Sequence, residues 1–212
     1  AKRDELDRIL HESACRMHAM RVEAAALLKE RVTAQLKDLE MPKAEFEADI
    51  RFDSSKKYHS DGLDSIEFLI SPNPGEGLKP LNKIASGGEL SRIMLAIKTI
   101  LADVDDTGVL IFDEIDTGVS GKAALMVGQK LVDVSRRHQV ICITHHAQIA
   151  SLAKAHFRIS KSVDHDRTTT QVNKLSYEER EMEVARLLSG DTGESTTKLA
   201  REMLQKGAGL HP

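Results

Sequence analysis

The segment VLIFDE, residues 109–114, joins four consecutive apolar residues to two carboxylates, Asp113 and Glu114. The later segment VICITH, residues 140–145, has the same design and ends in Thr144-His145. Uninterrupted apolar runs of this length are typical of strands that are buried on both faces of a parallel sheet. The two segments therefore predict two core strands, each of which ends in polar side chains.

Helical patterns precede both predicted strands. The first covers Glu89–Ala102 and the second covers Gly121–Arg137, so that helix and strand alternate along this part of the chain. Alternation of this kind is typical of an α/β domain with a parallel core sheet. Ligands gather at the carboxyl ends of the strands in such sheets, and we therefore expect the polar residues after the two strands to share one site.

Asp113 and Glu114 follow their apolar run in the pattern of a Walker B strand. In that motif the first carboxylate holds Mg²⁺, often through water, and the second orients or deprotonates the attacking water. A strand that simply ends in solvated acids would have the same sequence. The pattern alone leaves both interpretations open.

A second motif, Ser86-Gly87-Gly88-Glu89, stands at the start of the first of these helices. The backbone N–H groups and the dipole at a helix start favour an anion, and glycine lets a phosphate approach the backbone closely. The spacing Ser-x-x-Glu is also that of an ordinary capping box, which Ser176 and Glu179 repeat. Phosphate contact and helix capping are both compatible with this segment.

The segment 1–40 carries eight basic and eight acidic residues and contains neither Gly nor Pro. Such a segment favours a coiled-coil arm, although an amphipathic helix packed on its own domain would also fit. Because the pattern ends at Met41-Pro42, we expect an arm over residues 1–40 and a second region over 41–212. The apolar stripe of the predicted arm consists of Leu6, Leu10, Met17, Met20, Ala24 and Leu27.

Further strands and helices are expected on either side of the α/β segment. Antiparallel strands are predicted before it, and a hairpin followed by two helices is predicted after it. The strands are Phe46–Phe52 and Ile66–Ile70, the hairpin pairs His156–Val163 with Thr168–Leu175, and the helices are Tyr177–Leu188 and Glu194–Gln205.

The composition of the 212 residues, 41% hydrophobic and 30% charged with a net charge of -3, is that of a globular chain without a general basic footprint. The two cysteines, Cys15 and Cys142, suggest neither a disulfide framework nor a zinc site and fit a reducing cytoplasm. No apolar run has the length that a membrane span requires, and the charged N-terminal segment does not resemble a signal peptide. We expect neither membrane insertion nor export.

The order of these motifs resembles that of the signature, Walker B and switch-histidine motifs in ABC-type ATPases. Their sequences most resemble those of the RecN family of SMC-like DNA-repair ATPases. The motifs are ASGGELSR (85–92), FDEIDTGVSG (112–121) and ITH (143–145). The resemblance covers nearly the whole chain. It implies an α/β fold, the C-terminal lobe of an ABC/SMC-type ATPase head with a parallel core sheet, preceded by a coiled-coil helix.

The resemblance also implies roles for individual residues and a set of partners. The complete protein would bind ATP with Mg²⁺, dimerise through a second head and act on DNA in double-strand break repair and recombination, in the cytoplasm at the nucleoid. In these roles Ser86, Gly87, Gly88 and Glu89 bind the ATP of the second head, Asp113 serves Mg²⁺, Glu114 activates water and His145 senses the γ-phosphate.

No Walker A phosphate-binding loop occurs in the sequence. The nearest candidate, Gly118 to Lys122, is too short, and Ala123 replaces the hydroxyl residue that would meet Mg²⁺. The resemblance implies that this loop lies in the N-terminal half of the head, so we expect the isolated chain to hydrolyse little ATP. Ser120 replaces the Asp found in transporter ATPases, which argues against a transporter.

The sequence disfavours three further interpretations. A non-catalytic ABC-like dimerisation module would keep the fold without hydrolysis, but Glu114 and His145 argue against a decayed site. A metal site formed by His145 and His146 is disfavoured, because adjacent residues at a strand end usually point apart. Arg136 and Arg137 fit a helix C-terminus better than a DNA contact.

Overall fold

The computed structural model describes residues 2–55, 57–164 and 167–210, and only the backbone within 162–168. The chain divides into two compact units, Ala1–Ile100 and Leu101–Pro212. None of the described helices combines the length and the apolar character that a bilayer crossing requires.

The first unit begins with one long helix, α1, which spans Lys2–Asp38. Its 37 residues correspond to a length of about 55 Å. Asp4 and Glu5 lie in the first turn and Lys37 lies in the last, which suits the helix dipole at both ends. The helix ends at Asp38. Glu40 then adopts a positive φ of 60°, two residues before Pro42. The predicted long helix is therefore present, and its service as an arm stays a prediction.

The helix contacts a small antiparallel sheet of strand order β1-β2-β3. Strand β1 spans Glu45–Phe52, β2 spans Asp64–Ser71, and β3 is the short Lys79–Pro80. Phe46 pairs with Ile70, and both side chains are fully buried. The two predicted strands are confirmed, the first extended by one residue and the second by three.

The face of α1 that is buried differs from the predicted stripe. The buried residues of the helix are Ala14, Val32 and Leu36. Most of the predicted stripe is exposed, with Met20 at 65%. The sheet of the same unit therefore packs against one face of the helix, and the predicted apolar stripe on a second face stays largely exposed.

A buried carboxylate fastens α1 to the start of β2. Asp64, whose side chain is 1% exposed, accepts a hydrogen bond from Arg21 at 2.8 Å and lies 2.7 Å from Nδ1 of His18. Burial alone would raise the pKa of Asp64, but the hydrogen bonds from Arg21 and His18 outweigh it and lower that pKa. The ion pair fixes the middle of the helix to the sheet.

A 3-10 turn, Leu81–Lys83, leads into helix α2, Gly87–Leu101. Buried residues occur on several sides of this helix, which is typical of a helix inside a core rather than on a surface. They are Gly88, Arg92, Ile93, Leu95, Ala96 and Ile97.

The second unit is built on two parallel strands. Strand β4, Val109–Phe112, pairs with β5, Gln139–Cys142, and helix α3, Gly121–Val134, connects them. This parallel pair confirms the predicted α/β order. The expectation that both faces are buried is wrong for this chain, because Leu110 and Phe112 are buried while Ile111 is 67% exposed. Among the described residues, the face of the pair that carries Leu110 and Phe112 is the covered one.

The rest of the second unit consists of a hairpin and three helices. Helices α5 and α6 and the short α4 form a small core of Ala147, Val184, Ala185, Ala200 and Leu204. The hairpin is as predicted, but the tip at residues 165–166 lies outside the described residues. The elements are α4 (Ala147–Ala150), β6 (Phe157–Asp164), β7 (Arg167–Lys174), α5 (Tyr177–Ser189) and α6 (Glu194–Ala208).

Candidate functional site

The polar residues after β4 and β5 lie at one edge of the parallel pair. The register aligns Phe112 with Cys142, the last residue of each strand. The N–H of Ile143 also donates to the carbonyl of Phe112 at 2.9 Å, which extends the pairing beyond the strand ends. Asp113-Glu114 and Thr144-His145 therefore leave the sheet side by side, as the sequence predicts.

The backbone turns sharply at Asp113 and Glu114. Oδ1 of Asp113 accepts the N–H of Glu114 at 2.9 Å, and the carbonyl of Glu114 accepts the N–H of Thr117 at 3.0 Å. Glu114 has a positive φ of 55°. This left-handed conformation costs a non-glycine residue about 1–2 kcal/mol, and such strain tends to occur at functional sites. Both residues are exposed to solvent.

Asp116 connects the two turns and is only 2% exposed. Its Oδ2 accepts the hydroxyl of Thr144 at 2.5 Å and the backbone N–H of His145 at 3.0 Å. Burial alone would raise the pKa of Asp116, but the hydrogen bonds from Thr144 and His145 outweigh it and lower that pKa. The group is therefore a buried carboxylate that holds the β5 turn against the β4 turn.

His145 is the exposed member of this network. Its side chain is 74% exposed, and Nδ1 lies 3.3 Å from Oδ2 of Asp116. The rings of His145 and His146 lie side by side, with their centroids 4.7 Å apart. The expectation that these neighbours point apart is therefore wrong, because β5 ends at Cys142 and the side-chain alternation of a strand does not extend to them.

Asp116, His145 and His146 form a possible metal-binding group. Each offers one ligand atom, and these atoms lie within 4.8 Å of one another. The donors of a tetrahedral zinc site lie roughly 3.4 Å apart, as bond lengths near 2.0–2.1 Å require. Oδ2 of Asp116 also already accepts two hydrogen bonds. We therefore assign the group as a hydrogen-bond network. Asp113 has the oxygen ligand that Mg²⁺ prefers and is exposed to receive it.

The motif at residues 86–89 lies in the first unit, at the start of α2. The hydroxyl of Ser86 accepts the N–H of Glu89 at 3.3 Å, so Ser86 caps the helix. Gly87 is exposed and Gly88 is buried. The capping interpretation is confirmed, and contact of this segment with a phosphate stays a prediction.

The segment from Gly118 to Lys122, which is too short for a Walker A loop, forms a turn and the start of α3. Gly118 has a positive φ of 73°, and the hydroxyl of Ser120 accepts the N–H of Ala123 at 3.4 Å. Ser120 is thus the N-cap of α3. The segment forms a turn and a helix cap.

Sequence reasoning assigned no role to Asp116 or Thr144. Both stand within the motifs that drew attention, three residues after Asp113 and one residue before His145. The sequence shows only an acidic residue next to the apolar Ile115. Charged residues are rarely buried without partners, so a buried Asp116 would need a hydrogen-bond partner. The partner itself could not be named without the parallel pairing.

No family model matches the chain. The chain is 43% identical over 190 residues to the DNA repair protein RecN of Halalkalibacterium halodurans, covering 87% of the chain and 33% of that protein. It is 51% identical over 148 residues to the DNA repair protein RecN of Treponema pallidum, covering 69% of the chain and 26% of that protein. The chain thus spans about a third or less of these curated relatives.

Among solved structures, the chain resembles the Smc head domain with a coiled coil and joint from Pyrococcus yayanosii. The TM-score is 0.52 at 20% sequence identity, and the match covers 86% of the chain and 30% of that structure. At this identity the likeness concerns the fold alone. The fold is therefore the α/β lobe of an SMC-type head.

Proposed function

The chain belongs to the RecN family of DNA repair proteins and corresponds to a C-terminal part of them, and from this membership we propose that it is the C-terminal half of an ATP-hydrolysing SMC-like head. One observation carries the proposal. Asp113, Glu114 and His145 stand together at the carboxyl edge of the parallel pair β4–β5, where ligands bind in sheets of this type. We propose residues 1–40 as the end of a coiled-coil arm and 41–212 as the head.

The three residues have distinct chemical tasks in this proposal. The exposed carboxylate of Asp113 holds Mg²⁺, directly or through water. Bound Mg²⁺ neutralises charge on the phosphates. Glu114 extends from a backbone that is fixed by two hydrogen bonds, and its carboxylate orients the attacking water or accepts its proton. The exposed ring of His145 donates to the terminal phosphate of ATP.

Residues 86–89 act on a different nucleotide in this proposal. The N-terminal backbone groups of α2, with Ser86, Gly87 and Gly88, bind the γ-phosphate of ATP on a second head. The exposed Gly87 and the helix dipole favour an anion there. Glu89 supports the helix start through the N–H that Ser86 accepts. ATP would thereby join two heads into a dimer.

The uncovered face of the β4–β5 pair supports an N-terminal half as partner. Val109, Ile111 and Ile141 are each at least 45% exposed, whereas Leu110 and Phe112 on the other face are buried. Contiguous exposed apolar residues of this kind mark a contact surface. We propose that the N-terminal half of the same head, which carries the Walker A loop, covers this face. The complete protein would act on DNA in double-strand break repair and recombination, in the cytoplasm at the nucleoid.

The test is the substitution Glu114→Gln in the full-length protein. It keeps the size of the side chain and removes the carboxylate, so we expect ATP hydrolysis to fall by roughly 10²–10⁴-fold while nucleotide binding is retained. Phosphate release and binding of a fluorescent ATP analogue measure the two properties. Glu202→Gln, on the exposed side of α6, is the matched control and should hydrolyse ATP normally. Unchanged hydrolysis in Glu114→Gln would rule out the proposed role of Glu114, and absence of hydrolysis in the wild-type protein would favour a non-catalytic dimerisation module.

A further inference from the structure

Among the acidic residues of the turn after β4, Asp116 is the one that is buried. Asp113 and Glu114 are exposed, whereas Asp116 is buried beneath the same turn. The partners of its Oδ2 both come from the turn after β5, at a separation of 28 and 29 residues along the chain. Burying a carboxylate is costly unless hydrogen bonds compensate for it. The buried position of Asp116 therefore depends on the two hydrogen bonds that the Thr144-His145 turn donates to it.

The contacts of Asp116 concern both the backbone and the ring of His145. The backbone N–H of His145 donates to Oδ2 at 3.0 Å, and ring Nδ1 lies 3.3 Å from the same oxygen. A carboxylate opposite Nδ1 favours a proton on that nitrogen and fixes the ring orientation. The other ring nitrogen, Nε2, then remains for a second partner outside the network.

We propose that Asp116 is a positioning residue that acts through His145. It fixes the backbone of His145 and pairs with the Nδ1–H of the doubly protonated ring, so that the Nε2–H of the exposed ring is directed as a donor at the terminal phosphate of ATP. The carboxylate also compensates the positive charge of the ring when both nitrogens carry protons. This inference rests on the ATP hydrolysis proposed above, because only that reaction gives Nε2 a phosphate to contact.

A purely structural role for Asp116 makes a different prediction. If Asp116 only joined the two turns, then loss of either hydrogen bond to Oδ2 would have similar consequences. Thr144→Val removes the hydroxyl bond to Oδ2, together with the bond that the hydroxyl accepts from the N–H of His146 at 3.0 Å, and it keeps the charge that faces Nδ1 of His145. It is therefore the control for loss of hydrogen bonds within the turn. Asp116→Asn keeps the size of the side chain and removes the charge that faces Nδ1.

The kinetic test compares these variants in the full-length protein. We expect Asp116→Asn to lower kcat for ATP hydrolysis by roughly 10–100-fold, the usual cost of losing a partner that orients a functional histidine, with KM changed far less. Thr144→Val should lower kcat less. Combined with His145→Gln, Asp116→Asn should add no further loss, since residues that act through one another are non-additive. Additive losses would overturn the proposal.

Nitrogen NMR of the histidine rings supplies a readout that does not depend on hydrolysis. In wild-type protein labelled with ¹⁵N-histidine, the His145 signal, identified by its absence in His145→Gln, should report a proton on Nδ1. A neutral ring with its proton on Nε2 would overturn the proposal, and this outcome requires no variant at Asp116 to fold. If the wild-type protein hydrolyses no ATP, the proposed function fails and the role of Asp116 in hydrolysis fails with it. The NMR signal would still distinguish that failure from a wrong assignment of the Asp116–His145 contact.

Discussion

At the residue scale, Glu114 combines a proposed catalytic carboxylate with a backbone conformation that favours glycine. Its φ of 55° lies in the left-handed region, and the hydrogen bonds to Asp113 and Thr117 hold it there. The site therefore retains a strained residue at a position where glycine would adopt the same backbone conformation without strain. Such retention is expected where the side chain is needed for function.

This strain leads to a prediction about two variants that both lack the carboxylate. Glu114→Gly should be more stable than Glu114→Gln by about 0.5–1 kcal/mol, because glycine relieves the positive φ but gains entropy in the unfolded chain. Both variants should be inactive in ATP hydrolysis. Melting temperatures of the two full-length proteins measure the difference. A glycine variant that melts below the glutamine variant would contradict the assignment of strain.

At the element scale, α6 packs so closely on the segment after α4 that a glycine is required at the contact. A Cβ on Gly207 would lie 2.3 Å from the carbonyl oxygen of Ser151 and 3.0 Å from Cα of Leu152. Both atoms belong to the backbone and cannot move aside as a side chain could. The small core between α4, α5 and α6 depends on this approach.

We therefore expect Gly207→Ala to destabilise the protein by about 1–3 kcal/mol, the usual cost of overpacking. Gly209→Ala is the matched control, because its nearest neighbour would be the carbonyl oxygen of Lys206 at 3.6 Å, an ordinary contact. Thermal unfolding followed by circular dichroism compares the two. Equal melting temperatures would mean that α6 does not pack as described.

The ion pair between α1 and β2 also acts at the element scale and depends on pH. The folded-state pKa of Asp64 is lowered, so its stabilisation is complete above its unfolded pKa of about 3.9 and is lost as the pH falls through the folded value. Asp64→Asn should reduce stability by about 1–3 kcal/mol at pH 7. Chemical unfolding at pH 7 and pH 3 tests this, with the exposed Asp61→Asn as control. A deficit that does not shrink at the lower pH would argue against an ionised Asp64.

At the scale of the whole molecule, the chain has the proposed hydrolytic residues and lacks a Walker A loop. In the proposed function, the backbone groups that cradle the β-phosphate come from the N-terminal half of the head. The exposed apolar face of β4 and β5 is consistent with such a partner.

We therefore expect the chain alone to hydrolyse almost no ATP and to gain activity on mixing with a separately produced N-terminal half. The measurement is phosphate release for each half and for the mixture, with and without DNA. A mixture with Glu114→Gln in this chain is the control and should stay inactive. Robust hydrolysis by the chain alone would reveal a phosphate site elsewhere in it.

Local sequence patterns were sufficient to predict most of the helices and strands and the sheet edge at which the proposed site lies. Uninterrupted apolar runs at 109–112 and 140–143 are specific enough to predict parallel strands, and the carboxyl ends of parallel strands share one edge. Local signals such as the capping box of Ser176 and Glu179 were also sufficient, because they depend on neighbours three residues apart.

Contacts between residues that are far apart along the chain became known only from the tertiary structure. The burial of Asp116 under Thr144 and His145, the face of α1 that meets the sheet and the close approach at Gly207 all depend on distant segments. Local sequence patterns contain no information on these contacts, since each requires the position of a partner in space. The same holds for the uncovered face of β4 and β5, because an apolar run predicts burial without specifying which chain segment supplies the cover.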